Sequence, residues 1–211
     1  SASKLNTVVY ASFGRGGGTG TLGRVNNKTE NGFRKADGSI DFDAIYAANA
    51  AIATPNSNSA NSVFVRRASI NSHNWIGAIS SLNHKLNDNL NFTVGEYGKY
   101  YKELHYRTLS HLLDNKYIIH NTDKNNPNRQ ITDAYDASPN WNPFGGKTDE
   151  VKIAYNNDGI VNWLGGFGQL EYSNGDLSAF AQGSISNQGF QRVDYFLYTP
   201  ANQKTEMVNK L

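Results

Sequence analysis

Residues able to do chemistry concentrate in one stretch, "SFGRGGGTGTLGR" (Ser12–Arg24), which holds six glycines and two arginines. From Gly18, "GTGTLG" matches the spacing G-x-G-x-x-G of a dinucleotide-binding loop, and the apolar run "LNTVVYASF" before it supplies the strand such a loop follows. The helix that must come next is missing. "RVNNKTENGFRKADGS" is turn chemistry throughout, so no helix N-terminus is available to meet a pyrophosphate. Asp37 lies at the distance of a ribose-binding acid, in a region already rich in acids. No Gly-Lys-Ser/Thr is present for a Walker loop.

Other constellations fail on ligand chemistry. "KADGSIDFDAI" echoes a calcium loop with Gly38 at position six and Ile40 at eight, but positions one, three and twelve are Phe33, Lys35 and Ala44. The five histidines (His73, His84, His105, His111 and His120) form no helical pair and no H-E-x-x-H. There is no G-x-S-x-G elbow and no distinctive carboxylate pair. The absence of cysteine removes thiol catalysis, disulfides and cysteine metal sites. The expectation is therefore no catalytic residue, no metal and no cofactor. Net charge is +2 from 20 basic and 18 acidic residues, which gives no reason to invoke nucleic acid. The N-terminus "SASKLNTVVY" lacks the basic and apolar regions of a signal peptide, and no apolar run approaches a membrane helix.

What could position such residues is β-structure. Five segments read as strands, several with period two. They are Leu5–Gly14, about Asn74–Leu86, about Leu90–Tyr101, about Ile160–Ser173 and Leu177–Ser186. In the third, Leu90, Phe92, Val94, Gly98 and Tyr100 share one face, while Asn91, Thr93, Gly95, Tyr97 and Lys99 share the other. Glu96 falls on the apolar face. "NDN" joins the second strand to the third, and "NGD", a tight-hairpin signal, joins the fourth to the fifth. The other two connections, 15–72 and 107–159, are long. The first holds a short helix within "SIDFDAIYAANAAIAT", capped by Asp41 or Ser39, and a linker "NSNSANS". In the second, "YRTLSHLLDN" suggests a helical turn, while "NTDKNNPNRQ" and "DASPNWNPFGG" read as coil.

Strict alternation of short and long connections, with strands long enough to cross a bilayer, fits an outer-membrane barrel with long extracellular loops. A soluble sandwich with elaborated loops fits period two equally. Aromatics make up 12% of the chain. Trp141, Tyr135, Trp163 and Tyr195 suit sugar stacking; rim packing and the girdles that flank a lipid band suit them as well.

The runs "SFGRGGGTGTLGR", "DGSIDFDAI", "HNWIGAISSLNHKLNDNLNFTVGEYGKYYKELHYR" and "IAYNNDGIVNWLGGFGQLEYSNGDLSAFAQGSISNQGFQRVDYF" follow one another in this order along most of the chain. Together they resemble the mid-barrel part of Bacteroidetes TonB-dependent receptors, the group with a carboxypeptidase-regulatory-like extension. The resemblance implies an all-β fold in which residues 1–211 supply about five antiparallel strands of a 22-stranded transmembrane barrel. At this strand spacing the whole barrel needs about 930 residues, so the chain corresponds to about a quarter of it.

The implied function is active uptake of a scarce or large nutrient across the bacterial outer membrane, without enzymatic activity. The implied partners are the TonB complex, reached through other parts of the receptor, the rest of the barrel and its plug, and outer-membrane lipid. A surface lipoprotein lid, common in related glycan importers, is a partner the resemblance leaves open. In this reading Arg15, Arg24, Tyr135 and Trp141 are ligand-binding loop candidates, and Trp75, Tyr97, Tyr100 and Trp163 are girdle aromatics. The alternative is a secreted or surface carbohydrate-binding or adhesive β-domain, which predicts glycan binding lost on Trp141→Ala.

Overall fold

A computed structural model describes residues 3–56, 62–138, 141–142, 144 and 149–210. Alternating side chains and short polar turns fold most of this chain into strands. In order they are β1 (Ser3–Val25), β2 (Ser62–Lys85), β3 (Leu90–His111), β4 (Ile118–His120), β5 (Arg129–Ile131), β6 (Lys152–Ser173), β7 (Ser178–Asp194) and β8 (Val208–Lys210). One helix, α1 (Phe42–Ala50), lies between β1 and β2. The main sheet is antiparallel and open, in the order β1-β2-β3-β6-β7-β8, and β4 with β5 forms a separate hairpin.

Both short turns form as their residues require. Asn87 Oδ1 accepts from the Asn89 amide at 2.9 Å in the β2–β3 turn. Asn174 Oδ1 accepts from the Leu177 amide at 2.9 Å in the β6–β7 turn, where Gly175 takes φ +94°. Asp41 caps α1 through the Ala44 amide at 3.0 Å.

All five expected strands are present, but each continues beyond its expected end in the same direction. β1 does not stop near Phe13; it pairs with β2 without a break from Ser3↔His84 to Val25↔Ser62. The glycine stretch is thus strand. Residues 15–25, 62–72, 107–111 and 152–159, expected in long loops, belong to the sheet. The loops shrink to 26–61 and 112–151. "YRTLSHLL" is not helical through His111, because Tyr106 and Leu109 are drawn to opposite sides of β3. Tyr106 packs with Ala68 and Ile70, and Leu109 with Val63 and Val65. Residues 57–61 of the expected linker, and 139–140, 143 and 145–146 of "DASPNWNPFGG", lie outside the described residues.

The glycines have a steric purpose. On one face of the sheet four bulky rings each sit directly opposite a glycine of the next strand. Tyr10 pairs with Gly77, His73 with Gly14, Tyr97 with Gly165 and Phe167 with Gly95. A Cβ built on Gly165 would fall 2.6 Å from the Tyr97 ring and 2.9 Å from the Ile185 carbonyl oxygen. Each ring therefore lies flat across bare backbone.

The sheet has two zones. At the end near Val25 both faces are covered. Val63, Val65, Leu109, Ile118, Ile131 and Ile153 form one core, and Val25, Phe33, Ile45, Phe64 and Leu113 form another on the opposite side. Asn49 of α1 ties this head together, donating to the Phe64 and Leu113 carbonyls at 2.7 and 2.8 Å. At the other end both faces are open. One carries Leu5, Val9, Ile76, Val94, Leu164 and Ile185, with Val9 73% and Leu164 67% exposed. The other carries Lys4, Asn83, Thr93, Gln169 and Gln182 in one row and Lys99 further on.

The ring-on-glycine pairs make a prediction. Gly14→Ala should lower the midpoint of thermal unfolding of the full-length protein, by an amount corresponding to about 1–3 kcal/mol of overpacking. His73→Ala in the same chain should restore most of it, because the three atoms nearest a Gly14 Cβ all belong to the His73 ring. Gly165→Ala with Tyr97→Ala should recover less, because the Ile185 carbonyl cannot withdraw. Equal recovery in both pairs would contradict the backbone contact.

Candidate functional site

The polar face is built by alternate residues of β2, β3 and β6. Lys99 of β3 stands opposite Gly77 and Trp163, which leaves its side chain room between two indoles. Its Nζ lies 4.4 Å from the centre of the Trp75 ring and 4.3 Å from that of Trp163. Two cation–π contacts hold the ammonium in place. Tyr10 and Tyr101 meet Trp75 edge-on at 6.4 and 6.1 Å, and Tyr97 meets Trp163 at 5.7 Å.

Along β3 the same face continues through Glu103, His105 and Arg107. Glu103 pairs with His105 at 2.5 Å. Arg107 Nε donates to Ser69 Oγ at 2.9 Å, and its guanidinium lies 4.9 Å from the Tyr155 ring centre. Arg67 Nη1 donates to the same Ser69 hydroxyl at 2.9 Å and to the Gly18 carbonyl at 3.1 Å. Burial first, and the Arg107 charge second, hold the Arg67 guanidinium below its ordinary pKa.

The opposite face is different. Beyond its apolar rows, Lys102 lies 3.5 Å from Asp158 Oδ2, and the Tyr195 hydroxyl donates to that oxygen at 3.0 Å. Burial, then the Asp158 charge and this hydrogen bond, push the Tyr195 phenol up to about 12. Glu96 is exposed on this face, paired in register with Ser80 and Gly166. The Ser80 hydroxyl is 2.9 Å from that of Thr7, so one row of the apolar face is hydroxyl and carboxylate.

The structure distributes the expected site residues unevenly. Trp75, Tyr97 and Trp163 stand on the Lys99 face, and of the four girdle candidates only Tyr100 stands on the apolar one. Arg15 also stands on the apolar side, donating to Asn74 Oδ1 at 2.7 Å and to the Asn142 carbonyl at 3.0 Å. Beside it the second loop returns over the sheet. Ala137 packs on Ala68, Ile70 and Tyr106, and Phe144 meets Phe13 at 5.9 Å. Trp141 is 69% exposed on that returning segment, next to Asn142. Arg24 is exposed near the head end of β1. Tyr135 is structural, its amide donating to Leu109 O at 2.8 Å and its hydroxyl accepting from the Val151 amide at 3.1 Å. The four ligand candidates therefore form no common site.

Sequence reasoning missed the Lys99 cage and the Arg67–Arg107 pair. The signal for both was parity. Arg67, Ser69, His73 and Trp75 alternate along β2, and Lys99, Glu103 and Arg107 along β3, all on one face. Among the described residues no cluster of His, Asp and Glu is arranged to hold a metal. Comparison with known protein families, curated proteins and solved structures finds no match for this chain.

His120 holds the β4–β5 hairpin to β6. Its Nε2 accepts from the Ala154 amide at 2.8 Å and also faces the Thr122 hydroxyl; Ala154 takes φ +62°. An amide can only donate, so Nε2 carries no proton in this state. Burial lowers the His120 pKa, opposed by Asp123 and reinforced by Arg129. A histidine with a depressed pKa stabilises above its unfolded value and loses that contribution as the pH falls below about 6.5. The hydrogen-exchange protection factor of the Ala154 amide should therefore fall as the pH drops through this range, and His120→Phe should abolish that dependence. Constant protection from pH 7.5 to 5 would refute the clip.

Proposed function

We propose that this chain forms part of the wall of an outer-membrane TonB-dependent transporter for uptake of a scarce or large nutrient, with the head projecting into the extracellular medium. The observation that carries this reading is the opposed chemistry of two open faces. A soluble protein hides a contiguous apolar surface, whereas here Leu5, Val9, Ile76, Val94, Leu164, Leu170 and Ile185 are all exposed on one side. The other side is largely polar, with Val8, Ile79 and Phe180 also exposed on it, and carries a held ammonium, which suits a water-facing lumen. From Leu90 to Tyr100 the apolar face runs about 33 Å along β3, which at a barrel tilt near 40° spans about 25 Å.

The open edges support the same reading. β1 terminates the sheet, and β7 is paired on its outer side only over Gln188–Asp194, by β8 and by the segment around Lys204, which leaves Ser178–Asn187 open among the described residues. Lipid does not tolerate unpaired backbone, so a wall of this kind is completed by further strands. In this reading the girdle at the head side comprises Tyr100, Trp141 and Phe144 rather than Trp75, Tyr97 and Trp163. The latter three, with Lys99, face the lumen. The TonB complex, the plug and the remaining strands are the implied partners.

Fractionation tests the proposal. The full-length product should sediment with outer membranes and migrate as a heat-modifiable band. A soluble, monomeric product that binds glycan through Trp141 would instead favour the carbohydrate-binding alternative. Replacing the lipid-facing carboxylate should help rather than harm, so Glu96→Leu should leave the band at least as heat-resistant. Clear loss of that resistance would reject the lipid-facing assignment of the apolar side.

A further inference from the structure

Two guanidiniums on the polar face are held together without a counter-charge. Arg67 and Arg107 come from adjacent strands and share one neutral acceptor, the Ser69 hydroxyl, at 2.9 Å each. Among the described residues no carboxylate forms an ion pair with either. Glu103, four residues back along β3, is engaged by His105. Arg67 Nε is buried and has no acceptor. One hydroxyl, one carbonyl and the face of the Tyr155 ring supply no formal negative charge to offset the repulsion between the two cations.

The neighbouring surface is bare. On β1 the positions facing this side are Gly14, Gly16, Gly18 and Gly20. The His73 ring covers Gly14 and the Arg67 guanidinium crosses Gly20, while a Cβ at Gly18 would meet nothing within 4 Å. Next to the paired guanidiniums there is thus a shelf of exposed backbone, bounded by Asn71 and Ser69 on β2.

We infer that Arg67 and Arg107 form a binding site for an oxyanion, the carboxylate or phosphate group of a ligand that lies along the Gly16–Gly18 shelf. Guanidiniums present paired N–H donors whose geometry matches either group, and an anion here cancels the repulsion that Ser69 alone cannot. The inference deepens the transport reading by giving the ligand a charge class. It rests on that reading only for the role of the anion as cargo, since binding itself does not depend on the compartment.

Thermal unfolding of the purified full-length protein in detergent tests it, with pyrophosphate and citrate as probes and sodium chloride at equal ionic strength as the control. The wild type should gain about 2–4 °C over the chloride control with at least one probe. Pyrophosphate alone giving the rise assigns a phosphate ligand, and citrate alone a carboxylate. Arg67→Gln and Arg107→Gln should each abolish the rise, while the anion-free midpoint stays level or increases because one of two repelling charges is gone. Gly18→Leu keeps both guanidiniums and fills the shelf, so it should fold normally and lose the response. Arg34→Gln, at a distant loop, should keep it. The site is refuted if the wild type shows no rise beyond chloride, if the rise survives in both arginine variants, or if Arg67→Gln merely destabilises an anion-insensitive protein. None of these outcomes bears on membrane fractionation, so the two proposals fail separately.

Discussion

Everything in this molecule depends on the register of its long antiparallel ladder. β1 and β2 pair across 23 residues of β1 without a bulge, and β2 with β3 and β3 with β6 each shift only once, near the head. Side chains alternate strictly, so a slip of one residue would exchange the faces. Lys99 and Glu103 would then stand among Leu5, Val9 and Leu164. The ring-on-glycine pairs guard against this. In the native register Tyr10, Tyr97 and Phe167 each lie over a glycine. Displaced by one, Tyr10 would meet Ile76 or Ala78 and Phe167 would meet Val94 or Glu96, so these two rings lose the flat backbone in either direction, and Tyr97 loses it when it meets Leu164.

The same strands serve two environments because the loops treat their two ends differently. Near the head, chain from 26–56 and 112–138 covers both faces, and specific donors and acceptors tie several buried polar groups together. Asn49 joins α1 to β2 and to the turn after β3, and His120 joins the hairpin to β6. Away from the head neither face is covered. There the ladder satisfies the backbone, and each face is left to match whatever adjoins it. The arginine pair sits at the boundary, where the polar face begins to be roofed by the head and charge is no longer freely hydrated.

Sequence patterning exposed the open zone and concealed the head. Where one face is apolar and the other polar, period two is visible, and all five strands and both short turns were legible. Where both faces are buried or crossed by loops, alternation carries no polarity. Arg66, Arg67, Ala68 and Ser69, or Tyr106 through Ser110, then resemble turn or helix. The glycine stretch was opaque for a related reason: its partner rings and guanidinium come from residues about 50 positions away, and no local rule assigns a mate to a glycine. The girdle is a separate lesson. The alternation already placed Tyr97 with Lys99 and Trp75 opposite to Ile76, so parity alone puts these rings on the polar face, away from Tyr100.

The glycines of β1 unite these points. From Gly14 to Gly20 every β1 position on the polar face is glycine, so this stretch contributes no side chains there and the chemistry of its surface is set by what β2 extends across it. At Gly14 that is an imidazole and at Gly20 a guanidinium; between them the backbone stays open. The phosphate-loop spelling at Gly18 thus describes the right residue type with the wrong mechanism. A dinucleotide loop gathers amides at the end of a helix, and β1 has spent its inner amides on the ladder with β2. Positive charge must come from side chains instead. Among the described strands β2 is the one paired with β1, and the arginine it extends across β1 is Arg67. A second guanidinium from β3 then converts a packing contact into a place where an anion is electrostatically required.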